Sequence, residues 1–353
     1  MAWRVRLRLT QRLTQRSRPG CVVACLRSVA WALCCTLPVH AAEAVQVPSL
    51  DSPAGTAVVL PAHWFPLSAA GPGAAPGLAH SLAPGPAPGL APGPALAPAL
   101  VLLHGCGGLY DRPGRLALRY TELAARLNAM GVHALAPDSL TPRGERELCT
   151  QRTGQRRVTP LQRRRDALGA LQWLAAQPGV DPLRVGLLGW SNGGSTVLAA
   201  SNRSHPEVRA APVQPTLAVA FYPGCESELQ RGYTPAAPLL MLLGEADDWT
   251  PAAPCKALAA AARAAGATDA ATATARAAVQ WESYAGAVHG FDGSAAVRVR
   301  ADVPNGRHPG QGVHVGGDAA ARAASALALE QFLRAHWALT TAPSSASATA
   351  TPP

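Results

Sequence analysis

VGLLGWSNGG, at residues 185–194, is the stretch that decides the fold of this chain. An apolar run leads into GWSNG, from Gly189 to Gly193, which fits the pattern G-x-S-x-G. Where a strand turns sharply into a helix, side chains beside the serine would clash, and glycine removes those clashes while leaving the hydroxyl exposed. The pattern therefore predicts a strand, a tight turn and a helix, with Ser191 as a nucleophile. For this stretch alone, the alternative is a glycine-rich turn with an incidental serine.

Apolar runs and helical patterns alternate along much of the chain. Short, nearly continuous apolar runs, which predict buried strands, lie at 99–105, 132–138, 185–188, 216–222 and 238–243, and VQWESY at 279–284 is a further predicted strand. Helical segments are predicted at 116–130, 160–177, 193–200 and 319–336. This alternation predicts an α/β domain, in which helices cover both faces of a mostly parallel sheet.

The first 44 residues have the pattern of a secretory signal peptide. A basic lead with six arginines and no acid precedes a short apolar stretch, and small residues follow at Ala41, Ala42 and Ala44. We expect cleavage near Ala41 or Ala44; an uncleaved anchor or a misassigned start codon is the alternative. Seven arginines leave with the leader, so the formal net charge of +10 is largely a targeting feature and predicts no nucleic-acid partner.

Composition divides the rest of the chain into further segments. Residues 45–70 are expected to hold N-terminal strands, and residues 99–339 the catalytic domain. Between them, residues 71–98 contain eight prolines and six glycines. Because this composition does not support a strand ladder, we expect a loop or linker there. The tail at 340–353 is expected to be disordered.

A serine nucleophile needs a base, and the base needs a carboxylate to orient it. In hydrolases built around this turn, the carboxylate and then the histidine follow the serine along the chain. Three carboxylates come directly after the apolar run at 238–243: Glu245, Asp247 and Asp248. His289 follows the run at 279–284. Three other histidines follow the serine without coming directly after a predicted strand: His205, His308 and His314. The order therefore predicts Ser191, one of the carboxylates and His289 as a catalytic set.

Acyl transfer also needs donors for the negative oxygen of the transition state, the oxyanion hole. One donor should be the backbone N–H of Asn192, directly after the nucleophile, and the other should come from the loop after an earlier strand. LLHGCGG, at 102–108, is that loop. Its small residues allow close backbone approach, and Cys106 is predicted to donate its N–H. A plain glycine turn is the alternative for this motif alone.

Four cysteines remain after the leader: Cys106, Cys149, Cys225 and Cys255. An even number in an oxidising compartment predicts disulfides. A zinc site is the rival hypothesis, but none of the four stands in a C-x-x-C spacing. No metal is therefore expected.

Six motifs together resemble the dienelactone hydrolase family of α/β-hydrolases: LLHGCGG, APDSLTPRG, LLGWSNGG, FYPG, LLGEADDWTP and YAGAVHGFD. They cover residues 99–336 in order. The resemblance implies the α/β-hydrolase fold, with Ser191 as nucleophile, Asp247 as acid and His289 as base. Asp247 fits the family pattern G-x-x-D-x-x-[VT]-P at 244–251, and Asp248 is the runner-up.

Two departures separate the chain from the family's namesakes. The namesakes use a cysteine nucleophile, and they have a glutamate at the position of Gly105. The machinery for ester hydrolysis therefore carries over better than the dienelactone substrate. We expect an exported carboxylic ester hydrolase, in the periplasm or secreted. Its substrate is expected to be a small-molecule ester or lactone, cleaved through an acyl-enzyme without a cofactor.

Other functions fit the same residues. One is a serine peptidase, and another is an esterase that acts on polymeric or polysaccharide-linked esters. A non-catalytic binding protein on this fold is a third, but it predicts a broken catalytic set, whereas all three positions are filled here. No membrane anchor is expected once the leader is cleaved, and the oligomeric state is left open.

The strand order also predicts how the cysteines pair. Cys225 and Cys255 follow two successive strands, so they lie near the same edge of the sheet. Cys106 and Cys149 likewise follow two successive strands. We therefore expect the disulfides Cys225–Cys255 and Cys106–Cys149.

Substrate contacts are weakly encoded. Trp190, beside the nucleophile, and Trp249 are candidates to shape an acyl site, although core aromatics need no such role. Three arginines are candidates to pair with a substrate carboxylate, with solvated surface positions as the alternative: Arg143, Arg146 and Arg307. The segment at 304–317, after the histidine, is expected to line the pocket.

Overall fold

An eight-stranded sheet forms the centre of the protein. The computed structural model describes residues 42–68, 96–265 and 279–339. The predicted leader up to residue 41, residues 71–95 of the Pro/Gly-rich region and the predicted tail from residue 340 lie outside the described residues.

The strands of the main sheet run in the order β1-β2-β4-β3-β5-β6-β7-β8. In chain order they are β1 (Glu43–Pro48), β2 (Val59–Phe65), β3 (Ala97–Leu103), β4 (His133–Pro137), β5 (Val180–Trp190), β6 (Ala218–Phe221), β7 (Leu239–Gly244) and β8 (Val279–Tyr284). Strand β2 is antiparallel to both of its neighbours, and all other pairs are parallel. A separate antiparallel hairpin consists of β9 (Arg298–Arg300) and β10 (Val313–Val315).

Helices connect the parallel strands. They are α1 (Leu118–Ala129), α2 (Pro160–Ala175), α3 (Asn192–Ala200), α4 (Pro206–Ala210), α5 (Glu226–Arg231), α6 (Ala252–Ala264) and α7 (Ala319–Trp337). Local sequence explains where the longer ones begin. Thr159 and Gln162 form a capping box at the start of α2, and the side chain of Asp318 caps α7 by accepting from Ala321 N–H.

Both faces of the sheet are buried, as β3 illustrates. Ala99, Val101 and Leu103 point to a core cluster shared with α2, α3 and α6. Leu100 and Leu102 point to a second cluster, shared with α1 and α7. Successive side chains of a strand face opposite sides, so a strand covered on both faces is apolar throughout. The predicted fold class, a mostly parallel sheet with helices on both faces, is confirmed.

The sequence underestimated how much of the chain belongs to the sheet. Strand β3 begins at Ala97, two residues inside the segment expected to be a loop. Strand β5 begins at Val180 and not at Val185, because its first half, VDPLR, is partly exposed and lacks an apolar run. The β9–β10 hairpin was not predicted, since its strands are only three residues long.

The parallel arrangement brings several loops to one edge. Strands β3, β5, β6, β7 and β8 all end at the same edge of the sheet, so the segments that follow them are neighbours. Ligand sites of α/β sheets lie outside the carboxyl ends of the strands. Within the described segments, no helix has the length and apolar character needed to cross a membrane.

Candidate active site

Ser191 lies in the tight turn between β5 and α3. Its backbone has a φ of 54° and a ψ of −117°, a strained conformation for a residue with a side chain. A Cβ added at Gly189 would overlap the backbone of Gly193, and one at Gly193 would overlap the carbonyl oxygen of Leu103. The turn therefore requires both glycines, for the steric reason expected from the sequence.

His289 follows β8 and contacts the serine. Its Nε2 atom lies 2.9 Å from Ser191 Oγ, and its Nδ1 atom lies 2.8 Å from Asp247 Oδ2. All three residues are buried, with exposed fractions of 8% for Ser191, 4% for Asp247 and 5% for His289. Because an ionised carboxylate only accepts hydrogen bonds, Nδ1 carries the proton of the neutral ring. Nε2 is then free to accept the hydroxyl proton of the serine.

Asp247 follows β7 and is held by the loop that it begins. Its Oδ1 atom accepts from the backbone N–H groups of Trp249 and Thr250, both at 2.8 Å. Thr250 Oγ1 lies 3.0 Å from Asp247 Oδ2 and 3.0 Å from His289 Nδ1. These contacts fix the carboxylate against the imidazole. Sequence reasoning missed Thr250 as a site residue, although it occupies the [VT] position of the family pattern.

Asp248, the runner-up acid, faces away from the serine. Its carboxylate accepts from the backbone N–H of His314 at 2.8 Å and lies 2.7 Å from His314 Nδ1. Partial burial acts to raise the pKa of Asp248, but the hydrogen bonds from His314 outweigh it, and the pKa is lowered. Asp248 and His314 thus fasten the β9–β10 hairpin beside the site. His205, another histidine considered from the sequence, is bound to Glu228 at 3.0 Å.

Two aromatic rings enclose the imidazole. The centre of the Trp249 ring lies 4.6 Å from that of His289. The centre of the Tyr222 ring lies 4.7 Å from that of His289, in an edge-to-face arrangement. They shield the hydrogen bonds of the histidine from water, which strengthens them. Trp249 is half-buried next to the histidine, so it remains a candidate for substrate contact.

A polar network below the histidine was not predicted. Tyr222 donates its hydroxyl proton to Asp292 Oδ1 at 2.6 Å, and Arg119 donates to the same hydroxyl at 2.9 Å. Burial raises the pKa of Tyr222 well above its usual value, so the phenol stays neutral. Trp190 donates to Asp292 Oδ2 at 2.8 Å. With 3% exposure and its ring stacked on Phe221, Trp190 packs in the core, and its role in substrate binding stays a prediction.

Arg143, a candidate to pair with a substrate carboxylate, is bound to carboxylates of the protein itself. Its guanidinium donates to both oxygens of Asp166, at 2.8 and 2.9 Å, and to Asp51 at 2.9 Å. Its side chain is 9% exposed. Two carboxylates of the protein therefore occupy the groups that a substrate would need. Arg146 and Arg307 are exposed.

The two predicted oxyanion donors follow the ends of two neighbouring parallel strands, β3 and β5. Asn192 is the first residue of α3, where N–H groups have no acceptor within the helix. Cys106 follows β3, and its carbonyl accepts from Leu148 N–H at 2.7 Å. Gly105, just before it, packs against the nucleophile, since an added Cβ would lie 3.3 Å from Trp190 O and 3.7 Å from Ser191 Cβ. A larger residue at position 105 would press on the turn.

Two disulfides join the expected pairs, Cys106–Cys149 and Cys225–Cys255. The zinc hypothesis is thereby excluded for these four residues, because their sulfur atoms are bonded to each other. The first disulfide ties the loop after β3 to the loop after β4. The second lies in the core between the start of α5 and α6, where Cys225 is 1% and Cys255 0% exposed. Across the described ranges, no cluster of three or more His, Cys, Asp or Glu side chains is placed to hold a metal ion.

A cleft of about 1290 Å³ opens beside the Cys106 loop. Its walls come from Gly107–Gly114, from the loop at 141–150, and from β9 with the two residues that follow. A smaller cavity of about 450 Å³ lies further along the same loop and includes Pro304. The segment expected to line the pocket, 304–317, therefore contributes little to these cavities, and β9 lines the larger one in its place.

This arrangement defines an α/β-hydrolase, with a serine in a strained turn, a histidine and a carboxylate at one edge of the sheet. The chain belongs to the dienelactone hydrolase family, whose sequence profile matches residues 89–336.

Solved structures share the fold at low sequence identity. Esterase 2 of Thermogutta terrifontis, phosphorylated by paraoxon, is 16% identical, with 86% of this chain and 98% of that chain covered and a TM-score of 0.54. A dienelactone hydrolase-like promiscuous phosphotriesterase from metagenomic libraries is 20% identical, with 85% and 99% covered and a TM-score of 0.51. No curated protein sequence matches the chain.

Proposed function

We propose that this protein is a serine hydrolase that cleaves carboxylic esters or lactones through an acyl-enzyme. The observation that carries the proposal is the continuous set of contacts from Asp247 through His289 to Ser191, at 2.8 and 2.9 Å. Membership of the dienelactone hydrolase family supports the same class of reaction.

The reaction follows from this geometry in two steps. His289 Nε2 takes the hydroxyl proton as Ser191 Oγ attacks the substrate carbonyl, and Asp247 stabilises the imidazolium that forms. The N–H groups of Cys106 and Asn192 hold the negative oxygen, each contributing roughly 3 kcal/mol to the transition state. The histidine then returns the proton to the leaving alcohol. Water, activated by the same histidine, releases the acyl group.

The cleft beside the Cys106 loop is proposed to hold the part of the substrate remote from the reacting carbonyl, since its lining begins at Gly107 and does not include Ser191 or His289. It is bordered by the proposed oxyanion loop and is larger than a short-chain ester requires. Export is part of the proposal. The leader pattern supports it, and so do the two disulfides, which persist in oxidising compartments.

The central test is the variant Ser191→Ala, assayed with short-chain p-nitrophenyl esters, lactones and peptide amides. We expect turnover of esters by the wild-type protein, none by the variant, and unchanged circular dichroism. Ester turnover that survives in the folded variant would refute the nucleophile.

Covalent labelling tests the same residue without a substrate. A fluorophosphonate probe should modify Ser191 and no other serine, as mapped by mass spectrometry of a digest. Paraoxon, which phosphorylates the Thermogutta esterase, is proposed to trap the same hydroxyl. Labelling confined to other residues would contradict the assignment.

A further inference from the structure

Arg163 is a buried cation that the proposed reaction steps do not use. It lies in the first turn of α2 and is 1% exposed. Among the described residues, no carboxylate lies within 4.0 Å of its guanidinium; Asp166, one turn later, pairs with Arg143 at 2.8 Å. Burial lowers the pKa of Arg163 to about 10, so the side chain keeps its charge at neutral pH. An unpaired buried charge is costly, which makes its contacts informative.

The guanidinium binds the residue that leads into the oxyanion loop. Nη2 donates to the carbonyl oxygen of His104 at 2.5 Å, and Nη1 donates to His104 Nε2 at 2.8 Å. On its other side, Nε lies 3.4 Å from Thr196 Oγ1, in the helix that follows the nucleophile. Arg163 therefore bridges the end of β3 to α3.

These contacts determine the tautomer of His104. Its Nε2 atom accepts from Arg163 and, at 3.2 Å, from the backbone N–H of Ser139, so it carries no proton. The proton is on Nδ1, which lies 2.8 Å from the carbonyl oxygen of Gly105 and donates to it. Burial, and next the charge of Arg163, lower the pKa of His104 well below its usual value, so the ring is neutral.

The hydrogen bond to Gly105 fixes the direction of one oxyanion donor. The carbonyl of Gly105 and the N–H of Cys106 belong to the same peptide group, which is planar and has the two bonds pointing in opposite directions. Because His104 holds the carbonyl on its own side, the Cys106 N–H points away from His104. We take this direction to be that of the oxyanion, because Gly105 itself packs against Ser191.

We propose that Arg163 and His104 are positioning residues, which hold the Gly105–Cys106 peptide with its N–H directed at the oxyanion. The inference rests on the proposed function. It assigns a role in the transition state to two side chains that do not touch the substrate.

The test compares ligands that do and do not form an oxyanion. A trifluoromethyl ketone with a short acyl chain adds Ser191 Oγ to its carbonyl, with the hydroxyl proton passing to His289. The matching alcohol binds without this addition. In Arg163→Met we expect kcat for the p-nitrophenyl ester to fall roughly 10- to 100-fold, less than for loss of a donor. The inhibition constant of the ketone should rise by the same factor, while KM and the affinity for the alcohol stay constant.

Arg164→Met is the matched control. Arg164 is the next residue of α2 and is also buried, but it pairs with Glu207 at 2.8 Å. This variant should lose stability without changing the ratio of ketone to alcohol affinity. An unchanged ratio in folded Arg163→Met would overturn the proposal.

Further variants test the positioning role if Arg163→Met does not fold. Arg163→Lys keeps the charge but not the paired donation to His104, and should give a smaller change in the same direction. His104→Asn keeps an N–H near the position of Nδ1, whereas His104→Leu does not, so only the Leu variant should lose ketone affinity strongly. Equal ketone-to-alcohol ratios in these three variants and the wild type would overturn the proposal.

The proposed function can be refuted independently of the positioning role. If the wild-type protein neither turns over esters nor labels at Ser191, that function is refuted. If the wild type is active and the Arg163 and His104 variants keep its ketone-to-alcohol ratio, only the positioning role is refuted.

Discussion

Two buried histidines belong to the two sides of the proposed site, and their hydrogen-bonded charged partners are opposite in sign. His289 is 5% exposed and contacts the carboxylate of Asp247. His104 is 0% exposed and contacts the guanidinium of Arg163 at 2.8 Å, whereas the carboxylate of Asp138 lies farther from its Nε2 atom, at 4.0 Å. A neighbouring carboxylate stabilises an imidazolium, whereas a neighbouring guanidinium opposes it. One ring is thus placed to gain a proton during the reaction, and the other is kept neutral as a fixed donor.

In the proposed mechanism, proton transfer and oxyanion binding place different demands on the two sides of the site. On the acid–base side, proton transfer needs a histidine that changes its charge, and loops at the ends of β7 and β8 supply the partners. On the oxyanion side, backbone N–H groups need a constant direction, and the partners lie beneath the loop in α2 or across a disulfide. Loss of a group on the acid–base side should abolish turnover, and loss of a contact on the oxyanion side should reduce it.

The largest effect is expected from removing the base. His289→Ala should lower kcat by a factor on the order of 10⁵ to 10⁶, because the serine hydroxyl is a poor nucleophile without a base. Steady-state kinetics with a p-nitrophenyl ester measures this. Loss of less than tenfold would show that His289 is not the base.

The next largest effect should distinguish the two adjacent carboxylates, Asp247 and Asp248. Asp247→Asn should lower kcat about 10⁴-fold, since the amide favours the wrong tautomer of the histidine. Asp248→Asn is the matched control, because its carboxylate binds His314 and not His289. We expect that variant to keep most of its kcat and to lose some stability in thermal unfolding. The opposite ranking of the two variants would reassign the acid.

The two disulfides test the oxyanion side. Replacing either pair by serine should cost about 2 to 4 kcal/mol in the free energy of unfolding. Only the Cys106→Ser/Cys149→Ser pair should also lower kcat, by roughly tenfold, since the proposed oxyanion donor then shifts from its place. Cys225→Ser/Cys255→Ser should leave kcat unchanged. Equal kcat in both double variants would remove the distinction between the disulfides.

The smallest effect concerns pH and stability. The pKa of His104 is lowered well below 6.5 in the folded protein, first by burial and then by Arg163. Below about pH 6.5 the unfolded chain binds a proton on this ring that the folded protein does not bind. The free energy of unfolding should therefore fall with decreasing pH, by at most about 1.4 kcal/mol per pH unit for this group.

Urea unfolding between pH 7.5 and 5.5 measures this slope. Other histidines with lowered pKa values, such as His63 and His133, contribute to the wild-type slope. The contribution of His104 is therefore the difference between the wild type and His104→Asn. A variant as sensitive to acid as the wild type would show that His104 is not kept neutral.

The sequence predicted much of the sheet and the residues of the acid–base side. GWSNG and the carboxylates after β7 follow apolar strands, His289 follows β8, and parallel strands bring these ends to one edge. The sequence could not separate Asp247 from Asp248 without the family pattern. Only the fold shows that Asp248 meets His314, 66 positions away in the chain.

There is a physical reason why the contacts of Arg163 with His104 could not be predicted. Arg163 stands in the run QRRRD, where three successive arginines have the same local sequence environment. The helix turns by about 100° per residue, so each faces a different direction. Arg163 enters the core, whereas Arg164 and Arg165 bind Glu207. Residue type alone also does not reveal the partners of Trp190 and Arg143, which bind Asp292 and Asp166.

The covalent link between Cys106 and Cys149 bears on how the protein should be produced. A host whose cytosol keeps thiols reduced would deliver chains without this link, as well as without Cys225–Cys255. Such preparations are expected to contain full-length protein with weak turnover, and their specific activity should rise on incubation with glutathione disulfide. A yield estimated from a gel alone would then overstate the amount of active protein.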